Sequence, residues 1–404
     1  MKKVFVLAIC AGTFMFCRAQ SDGEKSNPKA EAVKAREAAD KLKEAEARKN
    51  SSDSFIIEAK IPATSVKNQA MTGTCWCFST TSLIESQCMK NNLGELDLSE
   101  MFSVRNIYFE KAKNYVLRQG HAQFGEGGLG HDLIRAIATY GAMPETVYSG
   151  LKPGQKEHNH VKLSGDLKKY LDSVINITPL PADWMVGYKK ILDSAIGVPP
   201  EKFTYNGKPY TPKTFAQEVL KFNASDYVYI TSFTDHNYYE PFILQVPDNF
   251  SNGSYYNLPL DEMIQLTKDV LNKGYSVLWD ADVSNPGFQQ RLGSAIDISA
   301  IPTGIKSKNE IMNGNVKEGK VDAERRQALY ETLVTQDDHL MHIVGLEKSK
   351  SGNTFFLVKN SWGDVGPNHG YINVSEAYFG INTISLVVPR AALSKSLLEK
   401  LRLK

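Results

Sequence analysis

Residues 68–78 read NQAMTGTCWCF and carry a polar, glycine-containing loop into residues 75–92, which are predicted to be helical. A thiol at the first residue of a helix feels the positive end of the helix dipole, which lowers its pKa and favours the thiolate. Gln69 lies six residues before Cys75, so the loop can bring its side-chain amide back to the cysteine. Together with the Cys75 N–H, this amide is a candidate donor to an oxyanion. We therefore predict a reactive cysteine at residue 75.

Two later motifs supply the groups that a nucleophilic thiol requires. The first, DDHLMHIVG at 337–345, contains His339, and an imidazole can pair with a thiolate and protonate a leaving amine. The second, KNSWG at 359–363, contains Asn360, whose side-chain amide can orient that imidazole as the third member of a triad. Trp362 is placed to shield the bond between the imidazole and the amide from water. The three motifs together predict covalent catalysis by a Cys-His-Asn triad.

The ordered set Gln, Cys-Trp, His and Asn-Ser-Trp-Gly, at residues 69, 75–76, 339 and 360–363, resembles the papain superfamily of cysteine peptidases. In papain-type enzymes the His and Asn follow the Cys by about 130–150 residues. Here they follow it by 264 and 285 residues, which leaves an insertion of roughly 120 residues between the two halves. Such an insertion resembles the bleomycin hydrolase and aminopeptidase C branch. Further stretches resemble the same branch, at residues 98–100, 127–132, 199–204, 256–261 and 278–283.

This resemblance covers nearly all of residues 55–393 and implies a fold, a reaction and an assembly. It implies a papain-like fold with a helical left lobe, a β-rich right lobe and an active-site cleft between them. The substrate would be a peptide or protein, and no cofactor is implied. Gly127 and Gly128 would line the non-primed cleft, where exposed backbone pairs with an extended substrate, and Trp362 is a further candidate for substrate binding. The resemblance also implies a homohexamer whose active sites face inward.

The residue pattern itself predicts an α+β protein. Besides 75–92, the predicted helices cover 99–118, 131–140 and 261–273; Gly141 ends the second of these, and Asp261 and Gly274 mark the start and the end of the third. The predicted strands are segments with alternating or continuous apolar residues, at 226–233, 275–282, 340–347, 354–360 and 371–375. The first half of the globular part is thus predicted to be mostly helical and the last third mostly strand.

Competing assignments exist for two of the catalytic residues. Cys77 is an alternative nucleophile, but Cys75 precedes the Trp and has the spacing from Gln69, so Cys77 is interpreted as a small buried apolar residue. His342 would point to the opposite face of a strand from His339 and is interpreted as a hydrogen-bonded histidine.

Two patterns in the sequence partly match known cofactor sites. The Cys-x-Cys and His-x-x-His pairs are a weak match to zinc, because the cysteines are too close together for the usual knuckle and a second cysteine pair is lacking. The GEGGLG string at 125–130 fits a dinucleotide-binding pattern, but the residues before it do not read as a strand. We therefore predict neither a metal nor a nucleotide cofactor. For the glycines at 125–130, the alternative to a substrate-binding role is an ordinary loop before a helix.

The N-terminus has the pattern of a secretory signal. Lys2 and Lys3 precede an apolar stretch, residues 4–16, which is too short to span a bilayer, and a small-residue site ends at Ala19. We predict that residues 1–19 are a signal peptide and that the mature protein is secreted or periplasmic, without a membrane span. Residues 20–53 are rich in Ala, Glu and Lys and are predicted to form a charged helical linker or N-terminal arm. Residues 54–404 would form the peptidase domain, with the insertion over roughly 150–330.

Composition and cysteine content exclude some classes of protein. Of 404 residues, 47 are Lys or Arg and 45 are Asp or Glu, so the net charge of +2 supplies no general attraction for nucleic acid. After removal of the signal, Cys75, Cys77 and Cys88 remain, which is not a disulfide framework. At least one thiol is therefore expected to be free.

The predicted function is hydrolysis of peptide bonds, as an aminopeptidase. The branch usually carries a C-terminal arm that blocks the cleft and whose carboxylate holds the substrate amine. Residues 397–404, LLEKLRLK, are basic and do not resemble such an arm. An endopeptidase or dipeptidase with an open cleft is therefore an alternative, as are acyl transfer to an amine on the same triad and a non-catalytic scaffold with a peptidase fold.

Overall fold

The structure, a computed structural model, describes residue 42, residues 55–300 and residues 317–403. The chain divides into two units, residues 1–42 and 43–404, and every element below belongs to the second. Leu42, which is helical and exposed, is the one described residue of the charged segment 20–53. The predicted signal peptide lies outside the described residues, as does the rest of the predicted linker or arm.

The described residues form helices and strands whose order is as follows. The helices are α1 Cys75–Lys90, α2 Glu100–Leu117, α3 Gly130–Tyr140, α4 Val161–Val174, α5 Trp184–Ile196, α6 Pro212–Glu218, α7 Leu260–Asn272, α8 Ala323–Glu331, α9 Glu376–Asn382 and α10 Lys395–Lys400. The strands are β1 Phe55–Lys60, β2 Phe203–Tyr205, β3 Lys208–Tyr210, β4 Tyr227–Thr231, β5 Pro241–Ile243, β6 Ser254–Asn257, β7 Val277–Ala281, β8 Phe288–Gln289, β9 Ser294–Ala295, β10 His339–Ser349, β11 Thr354–Lys359, β12 Tyr371–Ser375 and β13 Thr383–Pro389.

One large mixed sheet organises the β-rich part. Its strand order is β5-β6-β4-β13-β7-β10-β11-β12-β9-β8. The long strand β10 pairs with β7 through residues 339–343 and with β1 through residues 345–349, so two strands share one of its edges. β4 and β7, which come from the predicted insertion, are therefore part of the central sheet, whereas β2 and β3 form a separate hairpin.

The sheet separates two apolar cores because side chains alternate along each strand. Leu340 on β10 and Leu278 on β7 pack in the core that contains helices α1–α5. Their neighbours Met341 and Trp279 pack in a second core, which is covered by α7 and α9. Helix α1 packs against β10 and β7. This packing brings the first turn of α1 to the sheet at the point where β10 begins.

The predicted α+β layout is confirmed, and each predicted helix and strand is observed within a few residues of its predicted limits. Helix α2 shows how the sequence sets a boundary: the Ser99 hydroxyl accepts from the Phe102 N–H, which satisfies a donor that the first turn leaves unpaired. The helices α4 and α5 were not predicted. They bury one residue in four on the same face, as in Leu163, Leu167 and Leu171 of α4.

The last described residues pack against α7. The Lys400 ammonium donates to the Glu262 carboxylate at 2.8 Å, and Leu401 is buried in the second core. The three cysteines at 75, 77 and 88 are free and buried. No helix within the described residues is long and apolar enough to cross a membrane.

Candidate active site

Cys75 is the first residue of α1 and is 8% exposed. Its sulfur accepts a hydrogen bond from the backbone N–H of Leu340, the second residue of β10. Burial, with a smaller contribution from the carboxylates of Asp248, Asp337 and Asp280, raises the pKa of the thiol to about 12, although the hydrogen bond from Leu340 acts in the opposite direction. The predicted lowering of the thiol pKa is therefore wrong for this structure, because burial and three nearby acids oppose the thiolate more strongly than the helix start favours it.

His339 begins β10 and meets Asn360, the residue that follows β11. The His339 Nε2 and the Asn360 Oδ1 are 2.7 Å apart, and the Asn360 amide nitrogen donates to the Gln290 side-chain oxygen at 3.0 Å. Since the Asn360 nitrogen faces Gln290, its oxygen faces the imidazole and accepts from Nε2–H. In the neutral imidazole this leaves Nδ1 as the proton acceptor.

Trp362 covers this pair. Its ring and the His339 ring have centroids 4.7 Å apart, with the planes tilted by 38°. Burial lowers the pKa of His339 to about 4, while the hydrogen bond to Asn360 acts in the opposite direction. The rings are in contact, and the shielding of the imidazole–amide bond from water stays a prediction.

Gln69 is fixed between the cysteine loop and the segment that follows β11. Its side-chain oxygen accepts from the Ser361 hydroxyl at 2.6 Å, and its side-chain nitrogen donates to the Thr72 carbonyl at 2.7 Å. The Gln69 N–H also donates to the Ser361 carbonyl. The nitrogen of a side-chain amide carries two protons. One proton is engaged by Thr72, so the second is the candidate donor to an oxyanion; that role stays a prediction.

Gly127 and Gly128 lie in a crowded environment. A Cβ on Gly127 would be 1.9 Å from an oxygen of Asp248, and one on Gly128 would be 3.2 Å from the Trp76 ring. The Lys111 ammonium donates to the Gly127 carbonyl. The glycines therefore permit a close approach of side chains, and the carbonyl of Gly127 has a partner within the chain. Their predicted pairing with substrate stays a prediction.

The structure separates Cys77 and His342 from this site. Cys77 is fully buried and its thiol donates to the Glu100 carbonyl, as expected of a small core residue. His342 is also fully buried, and its Nδ1 is 2.9 Å from the Ser82 hydroxyl on α1. Burial and the Lys359 ammonium lower the pKa of His342.

Sequence reasoning missed the residues that surround the cysteine and the Asn360 amide: Gln290, Lys111, Asp248, Asp280 and Asp337. Asp337 lies in the histidine motif and Asp280 in the stretch 278–283, but neither pattern indicates a role for its aspartate. Asp248 follows Pro247 in a loop and has no local signal. Among the residues that the structure describes, no three His, Cys, Asp or Glu side chains are arranged to hold a metal ion.

The model of the Peptidase C1-like family matches residues 16–119 and 125–404 of this sequence. The chain belongs to the Peptidase C1-like family. It is similar to aminopeptidase G of Lactobacillus delbrueckii subsp. lactis, with 23% identity over 391 residues, covering 86% of this chain and 85% of the relative. It is also similar to bleomycin hydrolase of Homo sapiens, with 22% identity, covering 83% of this chain and 82% of the relative.

A solved structure shares the fold. The crystal structure of PepW from Lactobacillus rhamnosis HN001 superposes with a TM-score of 0.63 at 20% identity, covering 93% of this chain and 92% of PepW. The predicted resemblance to the bleomycin hydrolase and aminopeptidase C branch is thereby confirmed, as is the papain-like fold. The protein is a cysteine-type peptidase.

Proposed function

We propose that the protein hydrolyses peptide bonds through a triad of Cys75, His339 and Asn360, and that it acts as an aminopeptidase. The hydrogen bond of 2.7 Å between His339 and Asn360 supports this most strongly, because it fixes the orientation of the imidazole. The next residue, Leu340, donates its backbone N–H to the Cys75 sulfur, so the histidine and the cysteine are neighbours in space. The proposal that it is an aminopeptidase is supported by its similarity to proteins named aminopeptidase G and aminopeptidase C.

The proposed reaction begins with transfer of the Cys75 proton to His339 Nδ1 as the sulfur attacks the substrate carbonyl carbon. Burial disfavours both the lone thiolate and the lone imidazolium, so we expect the two groups to ionise together as an ion pair. The second amide proton of Gln69 and the Cys75 N–H would stabilise the tetrahedral oxyanion.

Collapse of this intermediate breaks the C–N bond, and His339 gives its proton to the leaving amine. A water molecule then loses a proton to His339 and attacks the thioester carbon. The product acid leaves, and the proton returns to the Cys75 sulfur. Asn360 keeps the imidazole oriented through both steps.

The test compares fluorogenic peptides that have a free amino terminus with the same peptides carrying an N-acetyl group. Cleavage of the free-amine peptides alone supports the aminopeptidase, and cleavage of the acetylated peptides supports the endopeptidase with an open cleft. Cys75→Ala is the control for the nucleophile, because hydrolysis at the full rate in this variant would refute the triad. An added amine that appears in the product would indicate acyl transfer, and inactivity of the purified wild type would favour a scaffold.

We also propose that residues 1–19 direct export, and that the mature protein is secreted or periplasmic and assembles as a homohexamer. The apolar stretch 4–16 and the small-residue site at Ala19 support the export. Mass spectrometry of the exported protein tests the first proposal by locating the new amino terminus. Light scattering of the purified protein tests the second, since a mass close to that of a monomer would contradict a hexamer.

A further inference from the structure

Gln290 contacts the triad at the Asn360 side chain. It is the first residue of a short 3₁₀ turn, Gln290–Leu292, which lies between β8 and β9, and it is 6% exposed. Strand β9 pairs with β12, so this turn is held against the sheet. The Gln290 side-chain oxygen accepts from the Asn360 amide nitrogen at 3.0 Å. Gln290 therefore meets the end of the Asn360 amide opposite to the oxygen that faces His339.

Two main-chain carbonyls set the orientation of the Gln290 side chain. Its amide nitrogen lies 3.3 Å from the Val365 carbonyl oxygen and 3.4 Å from that of Tyr371. A carbonyl oxygen accepts hydrogen bonds and never donates them. If the Gln290 amide were turned round, its oxygen would face two other acceptors in a buried place, and each unpaired group there costs free energy. The oxygen of Gln290 is therefore the atom that faces Asn360.

The same reasoning fixes the orientation of the Asn360 amide. Its nitrogen meets the Gln290 oxygen, and its oxygen accepts from the main-chain N–H of Ser361 at 2.7 Å. In the reverse orientation, two oxygens would face each other at Gln290 and two N–H donors at Ser361. Asn360 is 2% exposed, so bulk water does not relieve either mismatch. The contacts at Gln290 and at Ser361 thus favour the same orientation.

The orientation of Asn360 decides the tautomer of His339. With the Asn360 oxygen 2.7 Å from Nε2, the neutral imidazole carries its proton on Nε2, and Nδ1 is free to accept the proton of Cys75. An amide nitrogen in the same place would favour the other tautomer, in which Nδ1 carries the proton and does not act as a base. In a serine peptidase, the wrong tautomer of the catalytic histidine lowers kcat by about 10⁴-fold.

We propose that Gln290 is a positioning residue of the triad: its side-chain oxygen holds Asn360 in the orientation that selects the Nε2–H tautomer of His339. This proposal rests on the proposed peptidase reaction at Cys75. The bond that Asn360 donates to Gln290 also polarises the Asn360 amide, which makes its oxygen a better acceptor for the imidazolium that forms during the reaction. Loss of the Gln290 oxygen therefore affects both the neutral and the charged form of His339.

The first experiment measures kcat and KM of Gln290→Met and Gln290→Glu on the fluorogenic peptide that the wild type cleaves best. Methionine has a similar length but no amide oxygen, so kcat should fall about 5- to 150-fold while KM changes by less than about twofold. Glutamate still presents an oxygen to Asn360 but loses the N–H groups that face Val365 and Tyr371. We expect Gln290→Glu to be faster than Gln290→Met by about fivefold or more. If Gln290 only anchored its turn to the two carbonyls, the glutamate would be at least as harmful as the methionine.

The matched control is Gln327→Met. Gln327 on α8 is also 6% exposed; its side chain accepts from the Thr234 N–H at 2.8 Å and donates to Glu331 at 2.9 Å. This change removes a buried amide elsewhere on the molecule, and kcat should stay within about twofold of the wild type. Equal losses in the two methionine variants, or a Gln290→Glu no faster than Gln290→Met, would overturn the role of Gln290. If Cys75→Ala still abolishes hydrolysis in that case, the peptidase reaction stands and only the positioning role fails.

A second experiment tests the positioning role without any substrate. Iodoacetamide, a neutral reagent, alkylates the thiolate of Cys75 at neutral pH, and mass spectrometry of the digested protein follows the modified cysteine. Because Cys75 becomes a thiolate by giving its proton to Nδ1, Gln290→Met should be alkylated more slowly than the wild type by about fivefold or more, and Gln290→Glu should lie between the two. Equal rates in these three proteins would overturn the role of Gln290. An equal rate in His339→Ala would instead overturn the ion pair on which the proposal rests.

Discussion

Replacement of Lys67 by methionine tests how the loop that carries Gln69 and Cys75 is held in place. The Lys67 ammonium lies 2.7 Å from Asp97, 2.7 Å from Glu100 and 3.6 Å from Glu85. The side chains of Glu85 and Glu100 are 1% and 4% exposed. Methionine keeps most of the apolar stem of lysine and removes the ammonium group with its hydrogen bonds to Glu100 and to the Leu98 carbonyl, so the two buried glutamates lose their shared cation.

The expected loss of stability follows from this geometry. Breaking a buried ion pair by removing one partner costs about 3–5 kcal/mol, because the remaining charge is buried without compensation. Burial raises the pKa of Glu100 from its ordinary 4.5 to about 7, and Lys67 opposes that rise. An acid whose pKa is raised on folding contributes stability below its ordinary pKa and loses it as the pH rises through the folded value. Without Lys67 the pKa of Glu100 rises further, so the loss should be larger at pH 8 than at pH 5.

The assay is urea unfolding followed by tryptophan fluorescence at both pH values. Wild type, Lys67→Met and the double variant Lys67→Met with Glu100→Gln are compared. The double variant should recover about 1 kcal/mol or more at pH 8, because the amide carries no charge to bury. A loss below about 1 kcal/mol at pH 8, typical of an exposed pair, would refute the reasoning, as would an equal loss at both pH values.

Three further changes have expected outcomes. Asn360→Ala leaves the N–H of the His339 imidazole buried without an acceptor, so kcat/KM should fall about 5- to 150-fold. The circular dichroism spectrum should be unchanged, and a loss of activity below about twofold would contradict the role of Asn360 in positioning the imidazole. Burial raises the pKa of Glu347 from 4.5 to about 7, so the stability of the wild type should fall as the pH rises through this range. In urea unfolding at pH 8, Glu347→Gln should be more stable than the wild type by up to about 3 kcal/mol. An unchanged pH dependence of stability in this variant would contradict the assignment to Glu347. Gly130→Ala would bring a Cβ within 2.2 Å of Leu278 and should lower the free energy of unfolding by about 1–3 kcal/mol. The Cβ of Gly165→Ala in α4 meets nothing within 4 Å, so this variant should be about 0.5–1 kcal/mol more stable than the wild type. Thermal unfolding measures both, and equal effects would contradict the packing argument.

The role of a residue could be predicted from the sequence where the residue lies in a short local motif. Cys75 and Asn360 stand in short motifs, and the structure puts them at the start of α1 and the end of β11. Helix α4 went unpredicted although the spacing of Leu163 and Leu167, four residues apart, was a helical signal within an otherwise charged stretch. The periodicity of these leucines is sufficient to predict a helix in this stretch.

Other features depend on contacts between distant parts of the chain. The thiol pKa was predicted in the wrong direction because the helix start is local, whereas the burial of Cys75 and the approach of Asp248 depend on tertiary packing. The contact between Gln290 and Asn360 joins residues 70 apart and carries no sequence motif. Such residues can be found only once the chain is folded.

The strand order has a consequence for how the protein is made. β1 pairs with the second half of β10, and β13 lies between β4 and β7, so the centre of the sheet contains the last strand of the described residues. Sheet pairings between residues so far apart in sequence form slowly and only after the intervening chain exists. A ribosome that has released Cys75 must still release more than 280 residues before Asn360 emerges. The nascent chain is therefore expected to be inert as a peptidase until residue 360 has emerged and the strands of the sheet have paired.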